Sequence, residues 1–111
     1  MASSNADNGP YRIGKSAMEN TELVLRSDGQ DVWFHINGVP SAHLIYYNPD
    51  KVTLEALRKS GTIYRMAAIL KKNSKYKKAT NIEVIYDYIR NVQVLPKPGL
   101  VQVNNPKKIL V

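Results

Sequence analysis

Residues Gly9 to Ser16, GPYRIGKS, have the spacing G-x-x-x-x-G-K-[ST] that binds nucleotide phosphates in P-loop enzymes. In a P-loop, a buried strand leads into a glycine-rich turn and a helix, so that backbone N–H groups converge on the phosphates. The residues before Gly9, MASSNADN, are small and polar and are poorly suited to a buried strand. Tyr11 to Ile13 alternate apolar and polar, which indicates a short strand of their own. We therefore do not predict a nucleotide-binding P-loop.

The two histidines, His35 and His43, are the other residues whose chemistry could define a site. Asp31 adds a carboxylate, but a zinc site needs further donors and the chain has no cysteine. An acid–base pair of His43 and Asp31 is conceivable for hydrolysis, yet no serine has the pattern of an activated nucleophile. We predict no metal ion, no cofactor and no enzyme activity. Two interpretations stay open: the histidines organise the chain beside Trp33, or they contact a nucleotide directly, and core packing is preferred for Trp33.

A lysine-rich segment, KKNSKYKK at residues 71–78, carries five lysines in eight residues. Their mutual repulsion favours a mobile loop. Each lysine can neutralise a phosphate and the tyrosine can stack on an unpaired base, a combination typical of contacts to single-stranded or looped RNA. A solvated loop without a ligand is the alternative. The candidate nucleic-acid contacts are Lys71, Lys72, Lys75, Tyr76, Lys77 and Lys78.

Charge is distributed unevenly along the 111 residues, whose net charge is +7. Residues 1–50 hold three Lys or Arg against six Asp or Glu, whereas residues 51–111 hold thirteen against three. This asymmetry favours a polyanionic partner, nucleic acid before a membrane surface, over a basic domain that is merely soluble. No apolar run approaches the length of a membrane span and no signal peptide is evident. We expect a soluble protein of the cytoplasm, with the nucleus as the alternative.

The positions of strand and helix signals predict one α+β domain over residues 10–111, after a disordered leader at residues 1–9. A strand from Tyr11 to Gly14 precedes a short helix over Glu19–Arg26. Next comes a hairpin around Asn37-Gly38-Val39-Pro40, in which Asp31, Trp33 and His35 share one face. Its register, and hence the meeting of His35 with His43, is left open.

The second half of the chain predicts one long helix and then strands. Leu54, Leu57, Gly61, Tyr64 and Ala68 recur at helical steps between Thr53 and about Lys72, with Gly61 explained by close approach of a neighbouring strand. Residues 82–95 predict one long strand, and residues 100–103 and 108–111 predict a final hairpin. The expected architecture is an antiparallel or mixed sheet packed against this long helix.

Four separated segments together resemble the NFACT-R domain family. DVWFHINGVPSAHLIY (residues 31–46) resembles the family's Asp-x-Trp-Phe-His strand and following Ser/Ala-His. RIGKSAMENTELVL resembles its opening strand and short helix, VIYDYIRNV a later strand, and KPGLVQVNNPKKILV its closing hairpin. The resemblance extends from about Tyr11 to Val111, and it places Gly14-Lys15 at the end of a first strand.

The resemblance implies an RNA-binding module that acts on tRNA or ribosome-associated RNA, in translation or ribosome-associated quality control. DNA is an alternative ligand, because a relative with a coiled coil is associated with DNA binding. The chain resembles the domain alone, without the family's other domains. The implied base-selective surface is Asp31, Trp33, His35 and His43, with Lys15 and Arg90 as second-tier contacts and Lys107 and Lys108 as a third tier. The alternative function is a protein-interaction module that recruits a ribosomal or translation-factor protein.

Overall fold

A five-stranded antiparallel sheet forms the centre of the protein, as described by a computed structural model. The structure describes residues 10–111, so the predicted leader at residues 1–9 lies outside the described residues. In chain order the elements are β1 (Tyr11–Ile13), α1 (Ala17–Arg26), β2 (Val32–Ile36), β3 (His43–Tyr46), α2 (Leu54–Lys59), α3 (Thr62–Lys72), β4 (Glu83–Tyr88), a 3-10 helix (Ile89–Asn91), β5 (Val92–Val94), β6 (Val101–Val103) and β7 (Lys107–Leu110). The strand order is β1-β3-β2-β4-β7, and β5 pairs with β6 in a separate sheet. The predicted α+β class is confirmed.

Both faces of the central sheet are covered. Val32, Phe34 and Ile36 of β2 point into the main core, which contains α2 and α3. Trp33 points to the other face and packs with Val24 of α1 and with the β5–β6 sheet. Burial on both faces explains why β2 reads as the nearly continuous apolar run VWFHI. The predicted alternation along this strand is confirmed.

The segment that resembles a P-loop is a strand followed by a helix cap. Tyr11 to Ile13 pair with β3, so these residues do not form a phosphate-binding turn. Ser16 is the N-cap of α1, where its Oγ accepts a hydrogen bond from the backbone N–H of Glu19 at 3.1 Å. Gly9 lies outside the described residues.

The prediction of one long helix after Thr53 is wrong, because Gly61 separates α2 from α3. Gly61 has a φ of 86°, in the left-handed region that glycine adopts most readily. A Cβ added there would meet no heavy atom within 4 Å, so close approach of a strand does not explain this glycine. The break resets the helical phase, and Tyr64, predicted to be buried, is 55% exposed. Residues 63, 66, 67 and 70 carry the apolar face instead.

The C-terminal strands also pair differently from the prediction. The long strand over residues 82–95 is interrupted by the 3-10 helix, which directs β5 away from β4. β6 pairs with β5 across the turn at Pro98-Gly99, whereas β7 returns to the central sheet beside β4. The predicted final hairpin between residues 100–103 and 108–111 is therefore wrong. Alternation alone does not say which strand is the partner, because a strand pairs with whichever edge the tertiary fold presents.

Candidate functional site

An open groove lies on the face of the sheet that carries α1 and the β5–β6 sheet. Its volume is about 780 Å³, within the range typical of small-molecule sites. Its floor is formed by β2, β3 and β4, and its walls by the start of α1, the β2–β3 loop and residues 98–103. Trp33, His35 and His43 all line it, so the tertiary structure brings three residues of the predicted surface into one place.

The three rings form one packed cluster. His35 and His43 are direct partners across β2 and β3, and their ring centroids are 4.7 Å apart in an edge-to-face arrangement. Trp33 stacks on His35, with centroids 5.8 Å apart, and meets His43 edge-on at 5.6 Å. The indole Nε1–H of Trp33 donates to Nδ1 of His43 at 3.2 Å. The register thus answers the question that the sequence left open: the two histidines meet.

Burial keeps both histidines neutral at physiological pH. Desolvation, with a smaller contribution from the nearby His35, lowers the pKa of His43 to about 3. Desolvation also lowers the pKa of His35, although a hydrogen bond with the backbone of Ser41 opposes this shift. In neutral His43, Nδ1 is the acceptor from Trp33, so the proton resides on Nε2. The groove therefore presents a neutral imidazole donor.

Asp31 has a structural role in the described chain. Its carboxylate is 4% exposed and accepts the backbone N–H of Asp28 at 2.9 Å and that of Asn48 at 2.8 Å. These bonds hold the turn before β2 to the segment after β3. The conceivable acid–base pair of Asp31 with His43 does not form, because the Nδ1 partner of His43 is Trp33. Trp33 is 1% exposed, in agreement with the preferred core-packing interpretation.

The lysine-rich segment is held by hydrogen-bonded turns beyond the end of α3. Ser74 Oγ donates to the carbonyl of Lys71 at 2.7 Å and accepts the N–H of Tyr76 at 3.0 Å. Tyr76 is half-buried against the main core, on the sheet face that carries α2 and α3, and the ammonium of Lys75 lies 5.6 Å from its ring centroid. Lys72, Lys75, Lys77 and Lys78 are exposed and Lys71 is half-buried. The groove is lined by none of these lysines.

The second-tier and third-tier cations are distributed over both faces. Lys15 lines the groove at the start of α1. Arg90 is exposed with its guanidinium 4.2 Å from the ring centroid of Tyr88, beside a smaller pocket. In β7, Lys108 is paired with Ile85, a groove residue, whereas Lys107 is paired with Tyr86 of the main core. Because strand side chains alternate, only Lys108 of these two points to the groove face.

Sequence reasoning missed Asn20, a buried residue of α1 that lines the groove. Its side-chain Oδ1 accepts the backbone N–H of His43 at 3.2 Å, so it ties α1 to β3. Gly14 allows this approach, because a Cβ there would lie 2.1 Å from the same Oδ1. The sequence did offer a signal for this residue. Asn20 lies four positions before Val24, so it is a polar residue on the apolar face of a short helix, where burial is expected.

The part of the chain that the structure describes meets the requirements of neither a metal site nor a membrane-spanning helix. Residues 10–111 contain no group of three or more His, Cys, Asp or Glu side chains arranged to hold a metal ion. Among the same residues, no helix has both the length and the apolar character needed to cross a membrane.

Comparisons with known proteins give a sequence relative and structures of similar fold. No family model matches the chain. The chain is 27% identical over 74 residues, or 67% of its length, to coiled-coil domain-containing protein 25 of Danio rerio, of which this match covers 36%. Its fold is similar to the C-terminal part of the fibronectin/fibrinogen-binding protein from Streptococcus suis, with a TM-score of 0.75 and 20% identity over 91% of this chain and 39% of that one. The chain thus spans little more than a third of each of these proteins.

Proposed function

We propose that this chain is a non-enzymatic RNA-binding domain of the NFACT-R type, with tRNA or ribosome-associated RNA as its ligand, in translation or ribosome-associated quality control. The observation that carries the proposal is the lysine-rich segment. Four of its five lysines are exposed, and within residues 10–111 none of the five forms an ion pair. Cations without acidic partners are available to neutralise phosphates and release their counterions.

The turns after α3 also support this role. Asn73 Nδ2 donates to the carbonyl of Ile69 at 2.8 Å, and the N–H of Ala79 donates to the carbonyl of Tyr76 at 2.9 Å. A backbone held in this way loses less conformational freedom on binding than a mobile loop does. Because Tyr76 packs against the core, we assign it mainly to positioning the lysines, with stacking limited to the part of its ring that stays exposed.

Salt dependence of RNA affinity tests the proposal. We expect Lys77→Ala/Lys78→Ala to weaken binding of a single-stranded oligoribonucleotide and to reduce the slope of log K against log salt by about 1.4, or about 0.7 for each phosphate that is no longer neutralised. The matched control is Arg26→Ala/Lys59→Ala, which also removes two cations. Both control cations are already paired, with Glu22 and Glu55, each at 3.7 Å. Absence of RNA binding at low salt, or an equal effect of the two double variants, would contradict the proposal.

A protein-interaction module is the second candidate, favoured by exposed apolar side chains. Met18 and Leu25 of α1 are 66% and 67% exposed, and Leu100 in the groove wall is 49% exposed. The structure of similar fold from Streptococcus suis belongs to a protein named for binding fibronectin and fibrinogen. For this chain, the proposed protein partner is a ribosomal or translation-factor protein. In a pull-down after nuclease treatment, a retained protein partner would favour this candidate, whereas loss of all partners would favour RNA.

A further inference from the structure

His43 has a hydrogen-bond donor that no other residue in the range 10–111 uses. The residue is 2% exposed, and its Nδ1 is occupied by Trp33. Within residues 10–111, every side-chain nitrogen or oxygen that is sealed from solvent has a hydrogen-bond partner. Nε2 of His43 has no partner among these residues, and the space that its ring lines is the groove. The donor is fixed in direction, because the bond from Trp33 and the contact with His35 hold the ring.

The charge around the groove favours an anionic or acceptor-rich occupant. No acidic side chain is among the described residues that line it, whereas Lys15 is. His43, His35, Ile85 and Lys108 are successive partners in one row across β3, β2, β4 and β7. With strands about 4.8 Å apart, the row places the Cα of Lys108 about 14 Å from that of His43, on the same face.

Three carboxylates near this row are already engaged, and one of them, the buried Asp87 of β4, accepts two hydrogen bonds from residues just after it in the chain. Glu19 accepts the backbone N–H of Lys15 at 2.8 Å, and Glu83, on the groove face of β4, accepts a hydrogen bond from the side chain of Asn37. None of the three lines the groove. Lys15 and Lys108, at the two sides of the groove, therefore remain available to a ligand. The nearby carboxylates reduce the positive electrostatic potential of these lysines.

We infer that the groove receives the base of one unpaired nucleotide, which accepts a hydrogen bond from Nε2–H of His43, while the flanking phosphates meet Lys15 and Lys108. This inference rests on the proposed RNA-binding function and adds to it a base site separate from the lysine-rich segment. The volume of about 780 Å³ suits one nucleotide better than a duplex. Every base offers carbonyl or ring-nitrogen acceptors on an edge that is free only when the base is unpaired.

A peptide strand fits this groove less well. The floor strands β2, β3 and β4 are each paired on both sides, so they offer no free edge to which an extended peptide could add. A peptide would have to satisfy its own backbone polar groups against a largely apolar wall that includes Val39, Leu100 and Val101. A planar base can instead place its apolar faces against such a wall and direct its polar edge to His43.

The single tryptophan of the chain provides a direct readout of the groove. Because Trp33 Nε1–H is bonded to the same imidazole, a ligand that accepts from Nε2–H should shift its one indole N–H resonance in a ¹H–¹⁵N spectrum. We expect a shift with hexauridylate or hexaadenylate, and none with a 12-base-pair RNA duplex or with inorganic pyrophosphate. A shift with pyrophosphate would show that phosphate alone occupies the groove and would overturn the inference. So would a shift with an acidic, leucine-containing peptide and none with RNA.

Filling the groove tests the same inference by affinity. Ser41→Phe places a ring in the groove from the β2–β3 loop, and we expect it to weaken hexauridylate binding about tenfold, as removal of one base from its site should. The slope of log K against log salt should fall by no more than about 1.4, which is the share of the two phosphates that meet Lys15 and Lys108. The control is Gln102→Phe, an exposed residue of β6 between groove residues Val101 and Val103 that points away. It should leave binding unchanged. If RNA binds with its lysine-dependent slope but Ser41→Phe has no effect, the base site is wrong and the proposed function stands; if no RNA binds, the proposed function itself fails.

Discussion

Replacement of Gly14 by alanine tests how α1 is held against the strands that carry the histidines. Gly14 follows β1, and its N–H donates to the carbonyl of His43 at 2.9 Å. An alanine Cβ would lie 2.1 Å from Oδ1 of Asn20 and 3.1 Å from its Cα. The Asn20 side chain would have to move, and its bond to the buried N–H of His43 would break.

The expected cost has two parts. A buried N–H left without a partner costs about 1–3 kcal/mol. Forcing extra volume into a packed site costs about 1–3 kcal/mol. Because the two effects share one side chain, we expect the free energy of unfolding to fall by about 2–4 kcal/mol, less than their full sum. Urea denaturation followed by the fluorescence of Trp33 measures this change.

A double-mutant cycle separates the proposed clash from a general effect of alanine. In an Asn20→Ala background Oδ1 is absent, so Gly14→Ala should cost less than about 1 kcal/mol there, which gives a coupling energy of about 1–3 kcal/mol. Gly29→Ala is the control, because its Cβ would meet only the Cβ of Arg90, at 3.4 Å, and should change stability by less than about 0.5 kcal/mol. Equal costs of Gly14→Ala in both backgrounds would refute the reasoning.

Two further measurements examine the hinge and the buried histidines. Gly61→Ala should lower the free energy of unfolding by about 1–2 kcal/mol through backbone strain alone, because the φ of Gly61 is 86° and a Cβ would meet no atom within 4 Å. An unchanged urea midpoint would contradict a left-handed conformation at this residue. The lowered pKa of His43, about 3 against 6.5 when unfolded, means that the unfolded chain binds the proton first, so stability should fall as pH drops below about 6.5. The free energy of unfolding should fall by up to about 1.4 kcal/mol per pH unit because of this histidine, and His35 acts in the same direction. A stability that does not change between pH 7 and 5 would contradict the burial of both histidines as neutral rings.

Local signals predicted the elements that depend on neighbouring residues. The β2–β3 hairpin was predicted because β-rich residues flank Asn37-Gly38, and Gly38 adopts a φ of 81°. The helix before Ser27 and the start of a helix at Thr53 were predicted for the same reason, and Thr53 Oγ1 accepts the N–H of Ala56 at 3.1 Å. These features are determined within a few residues of chain.

The predictions that were wrong concern features that depend on contacts with residues far away in the chain. The apolar residues on both sides of Gly61 fit the period of a single helix. Packing on the sheet instead favours two helices, α2 and α3, whose apolar residues do not follow one continuous period. The residues of β6 and β7 have strand character in either pairing, and only the position of β4 and β5 selects their partners. For the site, residue types indicated Trp33, His35 and His43 together, but not that Asp31 is engaged by backbone amides or that Asn20 completes the groove.

The sequence by itself determined an α+β domain, a strand whose alternate residues include Trp33 and His35, and a concentrated positive charge at residues 71–78, because composition and short-range periodicity are properties of the chain alone. The tertiary structure alone decided that His43 lies opposite His35, that both rings line a groove, and that the lysine-rich segment is anchored through Tyr76 on the other face of the sheet. The reason is that strand register and the choice of face are fixed by burial of two separate cores, to which residues far apart in the chain contribute.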